Sequence, residues 1–292
     1  MTGPGVGMRA PGALEAVAGS ARQRPRPRSR ASAGRIGSWI IFLLGIIYFF
    51  LPLVATLAFS LRLQPFGQAY NNVINHDPQF ASSLAYSAVI GIVTIVISTL
   101  LIVPTAYWVR LRLPRLRPWV EFVTLLPFVI PPVILVFALL RAFSGGPVPL
   151  ATTDEGLNVL VVAAYVILSF PYMYRAIDSG LRAIDIRTLT EAAQSMGAGW
   201  GRILWAVILP NLRVALISGA FLTLAIVIGE YTIASFLVRP AFGPYLALLG
   251  HNRAFEPAAV SIISFGLTWA AMGVIALLGR GSRQSVQVAG AR

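Results

Sequence analysis

Residues 187 to 210 read RTLTEAAQSMGAGWGRILWAVILP, a half-polar, glycine-punctuated stretch lying between two long apolar segments. Thr188 and Glu191 have the Thr-x-x-Glu spacing of a capping box, in which a hydroxyl and a carboxylate satisfy backbone donors at a helix start. A short helix is therefore expected from Thr188 to Met196. Leu189, Ala192, Ala193 and Met196 fall at i, i+3, i+4 and i+7, which gives one narrow apolar face with small residues at its centre. Gly197 suits the left-handed conformation that ends a helix. Gly199 and Gly201 loosen the chain around Trp200, and Pro210 is expected in the first turn of the next long helix, where a proline is tolerated. The order is helix, turn, helix, then an apolar span.

The surroundings of this stretch are lipid-like. Of the 292 residues, 57% are hydrophobic and only 11% charged, too little charged surface to keep a domain of this length dissolved. The chain is an all-α membrane protein by this reading. A hydrocarbon core of about 30 Å takes about 20 apolar residues in a helix. Six stretches qualify, near residues 36–60, 84–108, 119–140, 157–176, 212–233 and 258–278. A seventh apolar run, residues 245–250, is too short to span and suits a re-entrant or surface turn.

Arginine placement orients the spans, because Arg-rich loops stay in the cytoplasm. With the N-terminus inside, the outer loops hold Arg62, Arg141, Arg239 and Arg253. The inner connections hold Arg110, Arg112, Arg115, Arg117, Arg175, Arg182, Arg187, Arg202 and Arg213, and the tail adds Arg280, Arg283 and Arg292. Both termini are thus expected in the cytoplasm, and so is the opening stretch. Three regions follow: an Arg/Pro-rich N-terminal segment, 1–35, expected to be a disordered cytoplasmic anchor with no nucleic-acid role; a six-helix domain, 36–280; and a cytoplasmic tail, 281–292. No cleavage site ends the first span, so it is expected to stay in the mature protein.

All 23 basic residues are Arg, and cysteine is absent. A P-loop needs a lysine to hold the β and γ phosphates, so ATP is not hydrolysed here by that route. Without Cys there are no disulfides, thiolate metal sites or Cys nucleophiles. His76 and His251, the two histidines, fall in outer loops. No Ser and His pair sits at membrane depth, and no HExxH zinc site exists. An intramembrane enzyme is disfavoured on these grounds. A secondary transporter is disfavoured because the first three spans do not resemble the last three and no midplane ionisable residue is found. Neither a metal nor a cofactor of its own is expected.

Prolines break spans two and three, the second at Pro104. The third reads LLPFVIPPVILVFALL, with Pro127, Pro131 and Pro132 near its middle. Carbonyls freed by proline need partners that lipid cannot supply, so Pro131 and Pro132 fit either a static kink in a packed bundle or a solute path. In the fifth, Glu230 of AIVIGEYTIASF lies 18 residues beyond Leu212, or about 27 Å at 1.5 Å per residue. Glu230 belongs near the outer boundary, either as an interfacial or packing residue or, with Tyr231, lining an outer vestibule for a cation.

The opening stretch also carries a family resemblance. Glu191, Ala192 and Ala193, three residues, Gly197, nine residues, Val207, one residue, then Leu209 and Pro210 resemble the EAA signature of ABC-importer permeases, with Val207 in place of Ile. FASSLAYSAVIGIVTIVISTLLIVPTAYWVR in span two and LLPFVIPP in span three also resemble this family. The resemblance implies that the helix docks in a cleft of a separate ATPase subunit, which uses the ATP. It further implies that the permease pairs with a sister permease or a second copy, and that an extracytoplasmic solute-binding protein delivers the solute. In such an arrangement Ala192 and Ala193 allow close docking with Met196 on the same face. Glu191 caps the helix or touches the ATPase, Gly197 sets the turn, Trp200 anchors the segment, and Leu209 and Pro210 lead into the next span. The pattern is closest to permeases for spermidine and putrescine, with iron, thiamine and sugar permeases as alternatives. The outer acids Asp77, Asp154, Glu155, Glu230 and Glu256 suit a polyamine.

Overall fold

In the computed structural model the described residues are 3, 30–145 and 147–280. The expectations for the Arg/Pro-rich segment and the tail fall on residues outside these. Regular structure among the described residues is entirely helical. The chain divides into two units, Met1–Pro52 and Leu53–Arg292. Helix α1, Arg30–Ser60, runs through the boundary. In the first unit Trp39 meets Phe42, and Phe49 meets Phe50, edge to face at 5.8 and 5.4 Å.

The second unit is built on α2 (Gln68–His76), α3 (Pro78–Leu111), α4 (Arg117–Val129), α5 (Pro132–Phe143) and α6 (Asp154–Arg182). There follow α7 (Ile186–Ser195), α8 (Trp200–Arg202), a π-helical turn (Ile203–Ile208), α9 (Leu209–Asn211) and α10 (Arg213–Gly229). The last elements are α11 (Thr232–Phe236), α12 (Phe242–Asn252) and α13 (Glu256–Arg280). Helices α3, α6 and α10 pack against one another at the centre. Between α3 and α6 the hydroxyls of Ser98 and Ser169, both buried, lie 2.6 Å apart, the interhelical polar contact that a lipid-embedded bundle favours. Large apolar side chains such as Val89, Ile92, Val96, Phe122 and Val129 remain exposed, as expected where the solvent is hydrocarbon.

Among the described residues three helices are long and apolar enough to cross a membrane: α1 from Gly37, α3 and α6. Two bent pairs raise the number to five if each pair is one span. One of them replaces the expected third span. Instead of a kinked helix over 119–140, α4 and α5 meet at 96°. The residue before a proline is steered away from helical ψ, and Ile130 accordingly has ψ 115° and Pro131 ψ 134°. Pro132 then opens α5 where its missing N–H costs nothing, and the Pro131 carbonyl takes the amides of Ile134 and Leu135.

The fifth span is also shorter than expected. Helix α10 stops at Gly229, so Ile233 belongs to α11. Pro210 is not in its first turn either. It lies in α9, on a segment bent 79° from α10. The run 245–250 is no surface turn: α12 seats Phe242, Tyr245 and Leu249 in a core cluster with Val73 of α2 and Val260 of α13.

Candidate functional site

Helix α7 starts two residues earlier than the sequence spacing implied. Its cap is Asp185, whose carboxylate accepts the Thr188 amide at 3.2 Å and the Thr188 hydroxyl at 2.7 Å. The Thr188 hydroxyl, and then its amide, hold the Asp185 carboxyl below the usual carboxylate range. Glu191 is therefore not a capping residue. It sits on the open side, 3.6 Å from Arg187 one turn back, with both side chains exposed.

The helix has its inner face at Ile186, Leu189, Thr190 and Ala193, again at i, i+3, i+4 and i+7, but begun three residues earlier. Ala193 is 2% exposed and Met196 81%. The expected single face of Leu189, Ala192, Ala193 and Met196 is thus split: Leu189 and Ala193 pack on this chain, while Ala192 and Met196 are turned away from it. Helical period alone could not tell which neighbour would claim the small residues.

Gly197 has φ 78°, the left-handed conformation in which a Cβ meets the following carbonyl. Its amide donates to the Gln194 carbonyl at 2.9 Å and that of Ala198 to Ala193 at 3.0 Å. That pair of bonds satisfies the last carbonyls of the helix. Beyond the turn, Trp200 stacks on Trp108 of α3 at 4.5 Å between ring centroids and 29° between planes, with the Arg112 guanidinium 5.2 Å from the Trp200 ring. The Tyr107 hydroxyl of α3 lies 2.9 Å from Thr190 Oγ1. Leu209 packs against the same core, and Pro210 lies between the π-helical turn and the bend.

Beside this segment, at the α3, α4 and α6 ends next to α7, is a charge cluster that the sequence reading did not single out. Asp178, 8% exposed, accepts from Arg182 at 2.6 Å, Arg117 at 3.1 Å and Arg110 at 3.4 Å. Glu121 takes Arg117 at 2.9 Å. The i,i+4 spacing of Asp178 and Arg182 was the available signal.

At the opposite end of α10 the chain breaks at Glu230. Both carboxylate oxygens lie 2.9 Å from the Ile233 amide, and Oε2 also accepts from Ala234 at 3.2 Å and the Tyr165 hydroxyl at 3.2 Å. The carboxylate is thus folded onto the backbone just beyond the break and onto α6. The first turn of α12 crosses this break at Gly243, where an added Cβ would fall 2.2 Å from the Glu230 carbonyl oxygen. Tyr231 is half exposed and lies on the wall of two adjoining cavities of about 450 and 490 Å³. Neither Pro131, Pro132 nor Glu230 lines either one.

A broken-helix bundle with a short amphipathic helix presented beside its central helices defines a class of membrane permease. The chain belongs to the family described as binding-protein-dependent transport system inner membrane component, matched over residues 102–282. It is an inner-membrane permease subunit of an ABC importer and is not itself catalytic. A Salmonella paratyphi A protein, provisionally named as the 2-aminoethylphosphonate transport system permease PhnV, is 29% identical over 254 residues, covering 83% of this chain and 92% of its own. The molybdenum transport system permease ModB of Azotobacter vinelandii is 32% identical over 135 residues, 44% of this chain and 59% of its own. A crystal structure of a bacterial ABC transporter involved in import of the acidic polysaccharide alginate contains a chain of the same fold. Its TM-score is 0.56 at 20% identity, covering 88% of this chain and 98% of that one.

Proposed function

We propose that this chain and a sister permease, or a second copy of itself, form the translocation path of the importer, with six spans and both termini in the cytoplasm. Arginine distribution supports the orientation, and α13, 25 residues long, supports the sixth span. ATP is used by separate ATPase subunits that receive α7 in a cleft, and an extracytoplasmic solute-binding protein loads the opposite face. The observation that carries the coupling role is the two-sided character of α7. Its inner face is fixed to α3 through Thr190, while Glu191, Ala192, Ser195 and Met196 are exposed on the other side. Closure of two ATPases on two such helices would drive the permease pair between inward-open and outward-open states. The test is co-purification of the permease with its ATPase, with and without Ala192→Arg. Loss of both the complex and solute uptake in a folded variant is the expected result, and an unchanged complex and uptake would remove α7 from this role.

For the cargo, the polyamine expectation gives way to a small solute bearing an oxyanion group. The relatives above carry the names of phosphonate and molybdenum systems, and a further one, CysW of Synechococcus elongatus, that of a sulfate system. Glu230, the acid within a span that a cation path would use, has its carboxylate folded onto the α11 backbone. Uptake of labelled 2-aminoethylphosphonate, sulfate and spermidine by cells holding the whole importer tests this directly. Transport of spermidine alone would restore the polyamine reading.

A further inference from the structure

The outer acids named from the sequence have separate fates. Asp154 holds Arg239 at 2.6 Å, and Glu230 caps α11. Asp77 and Glu256, 179 positions apart in the numbering, line one cavity of about 470 Å³ where α2 meets the junction of α12 and α13. Gln68, Asn72, His76 and Arg253 complete its polar wall.

This wall is both built and two-signed. Glu256 is 6% exposed, and its Oε1 accepts from Asn72 Nδ2 at 3.1 Å and Arg253 Nη1 at 3.2 Å. Gln68 donates to Asn72 at 2.9 Å, which fixes the amide that reaches Glu256. Asp77 takes the Gln79 amide on one oxygen and the Tyr245 hydroxyl, at 3.0 Å, on the other. Two carboxylates thus face one guanidinium and one imidazole. Arg253 has five donors, and Glu256 is its one carboxylate partner among the described residues.

A solute that is only anionic would meet Asp77 and Glu256, and one that is only cationic would meet Arg253. A molecule with an ammonium at one end and an oxyanion at the other satisfies both signs, and the volume lies within the range of small-molecule sites. We propose that this cavity binds a small zwitterion of the aminoalkylphosphonate class, with the ammonium toward Glu256 and Asp77 and the phosphonate toward Arg253 and His76. The proposal rests on the importer reading above and narrows its substrate class.

The test uses the permease assembled with its ATPase in nanodiscs, without the binding protein. Equilibrium dialysis with labelled 2-aminoethylphosphonate should give saturable binding. Ethylphosphonate, which lacks the ammonium, and putrescine, which lacks the oxyanion, should each compete at least tenfold less well. Glu256→Gln and Arg253→Gln should each weaken binding by about tenfold or more. His76→Ala, at an exposed position, should weaken it severalfold while leaving assembly intact, so that a folding defect at buried Glu256 does not decide the matter. Absence of saturable binding to the wild type, unchanged affinity in Arg253→Gln and His76→Ala, or equal competition by either half-molecule would overturn the proposal. Failure of the ATPase to co-purify with the wild type would instead strike the importer reading.

Discussion

Tyr107 on α3 and Thr190 on α7, 83 residues apart, share a buried hydrogen bond of 2.9 Å between their hydroxyls. Thr190 also donates to the Ile186 carbonyl at 2.6 Å, so its proton is committed within α7 and Tyr107 is the donor across the interface. Tyr107→Phe should therefore cost about 1 kcal/mol, the usual net worth of such a bond. Thermal unfolding of the purified permease measures it. A double-mutant cycle with Thr190→Val should recover a coupling of similar size, and zero coupling would show that the two hydroxyls do not act together.

Ala192 and Ala193 are adjacent in the signature and opposite in environment. Ala192→Arg should leave the fold and melting point of the permease unchanged while abolishing ATPase assembly. Ala193→Arg forces a guanidinium into a packed position and should lower stability by about 3 kcal/mol or more, through overpacking and an unpaired buried charge. Melting curves beside co-purification separate the two, and equal melting points would contradict the split face.

Glu230 offers its carboxylate to two amides of α11 and to Tyr165. Glu230→Gln keeps one acceptor and should reduce uptake modestly. Glu230→Ala, which leaves the α11 amides open, should cost about 0.5–2 kcal/mol as a lost cap and reduce uptake strongly. The loss should be the same for charged and neutral test solutes, whereas a loss confined to cations would return Glu230 to the path.

Removing Asp178 takes from Arg110 its one carboxylate partner among the described residues and leaves Arg117 and Arg182 to Glu121. Breaking a buried ion pair costs about 3–5 kcal/mol, but Arg182 is half exposed and Arg110 and Arg117 are partly so, and solvent screening reduces their share. Asp178→Ala should therefore destabilise by about 2 kcal/mol, measured by thermal unfolding at low and high salt. A loss near zero would mean that Glu121 and water already serve the three arginines.

The cap on α7 titrates. Asp185 has its folded pKa lowered by Thr188, so its stabilisation is complete above the unfolded value of about 3.9. It is lost as pH falls through the lower folded value. Amide exchange across residues 186–190, corrected for intrinsic rates, should be protected and flat above pH 5 and should rise on acidification below about pH 4. Asp185→Asn accepts the same bond without ionising and should flatten that dependence.

The long apolar helices α1, α3 and α6 were legible because a run of about 20 apolar residues has few other fates. Gly197 was legible for a local reason, since a helix ending needs its backbone. What escaped was whatever depends on a neighbour. Glu191 resembled a cap because its spacing allowed one, yet Asp185 lay nearer the helix start and took the amide first. The faces of α7 repeat every 3.6 residues whichever side is covered, and Tyr107, buried in an apolar run, gave no hint that it would cover the inner one. In span three the prolines announced a disturbance but not an angle, because φ/ψ at Ile130 and Pro131 fixes the turn only once α5 has somewhere to pack. Asp77 and Glu256 met through tertiary structure alone.

Helix α3 touches both ends of this arrangement. Near its C-terminal end it holds α7 through Tyr107 and the segment beyond through Trp108, and at its N-terminal end its cap, Asp77, forms part of the polar cavity. Its 34 residues make a rod of about 51 Å at 1.5 Å per residue, interrupted by a single proline, Pro104. A push delivered to α7 is thus a load on α3, and a rod that slides or tilts at one end must reposition the carboxylate at the other. In the importer proposed above, one continuous helix would serve as the mechanical equivalent of a pushrod between the ATPase-facing segment and the proposed solute cavity.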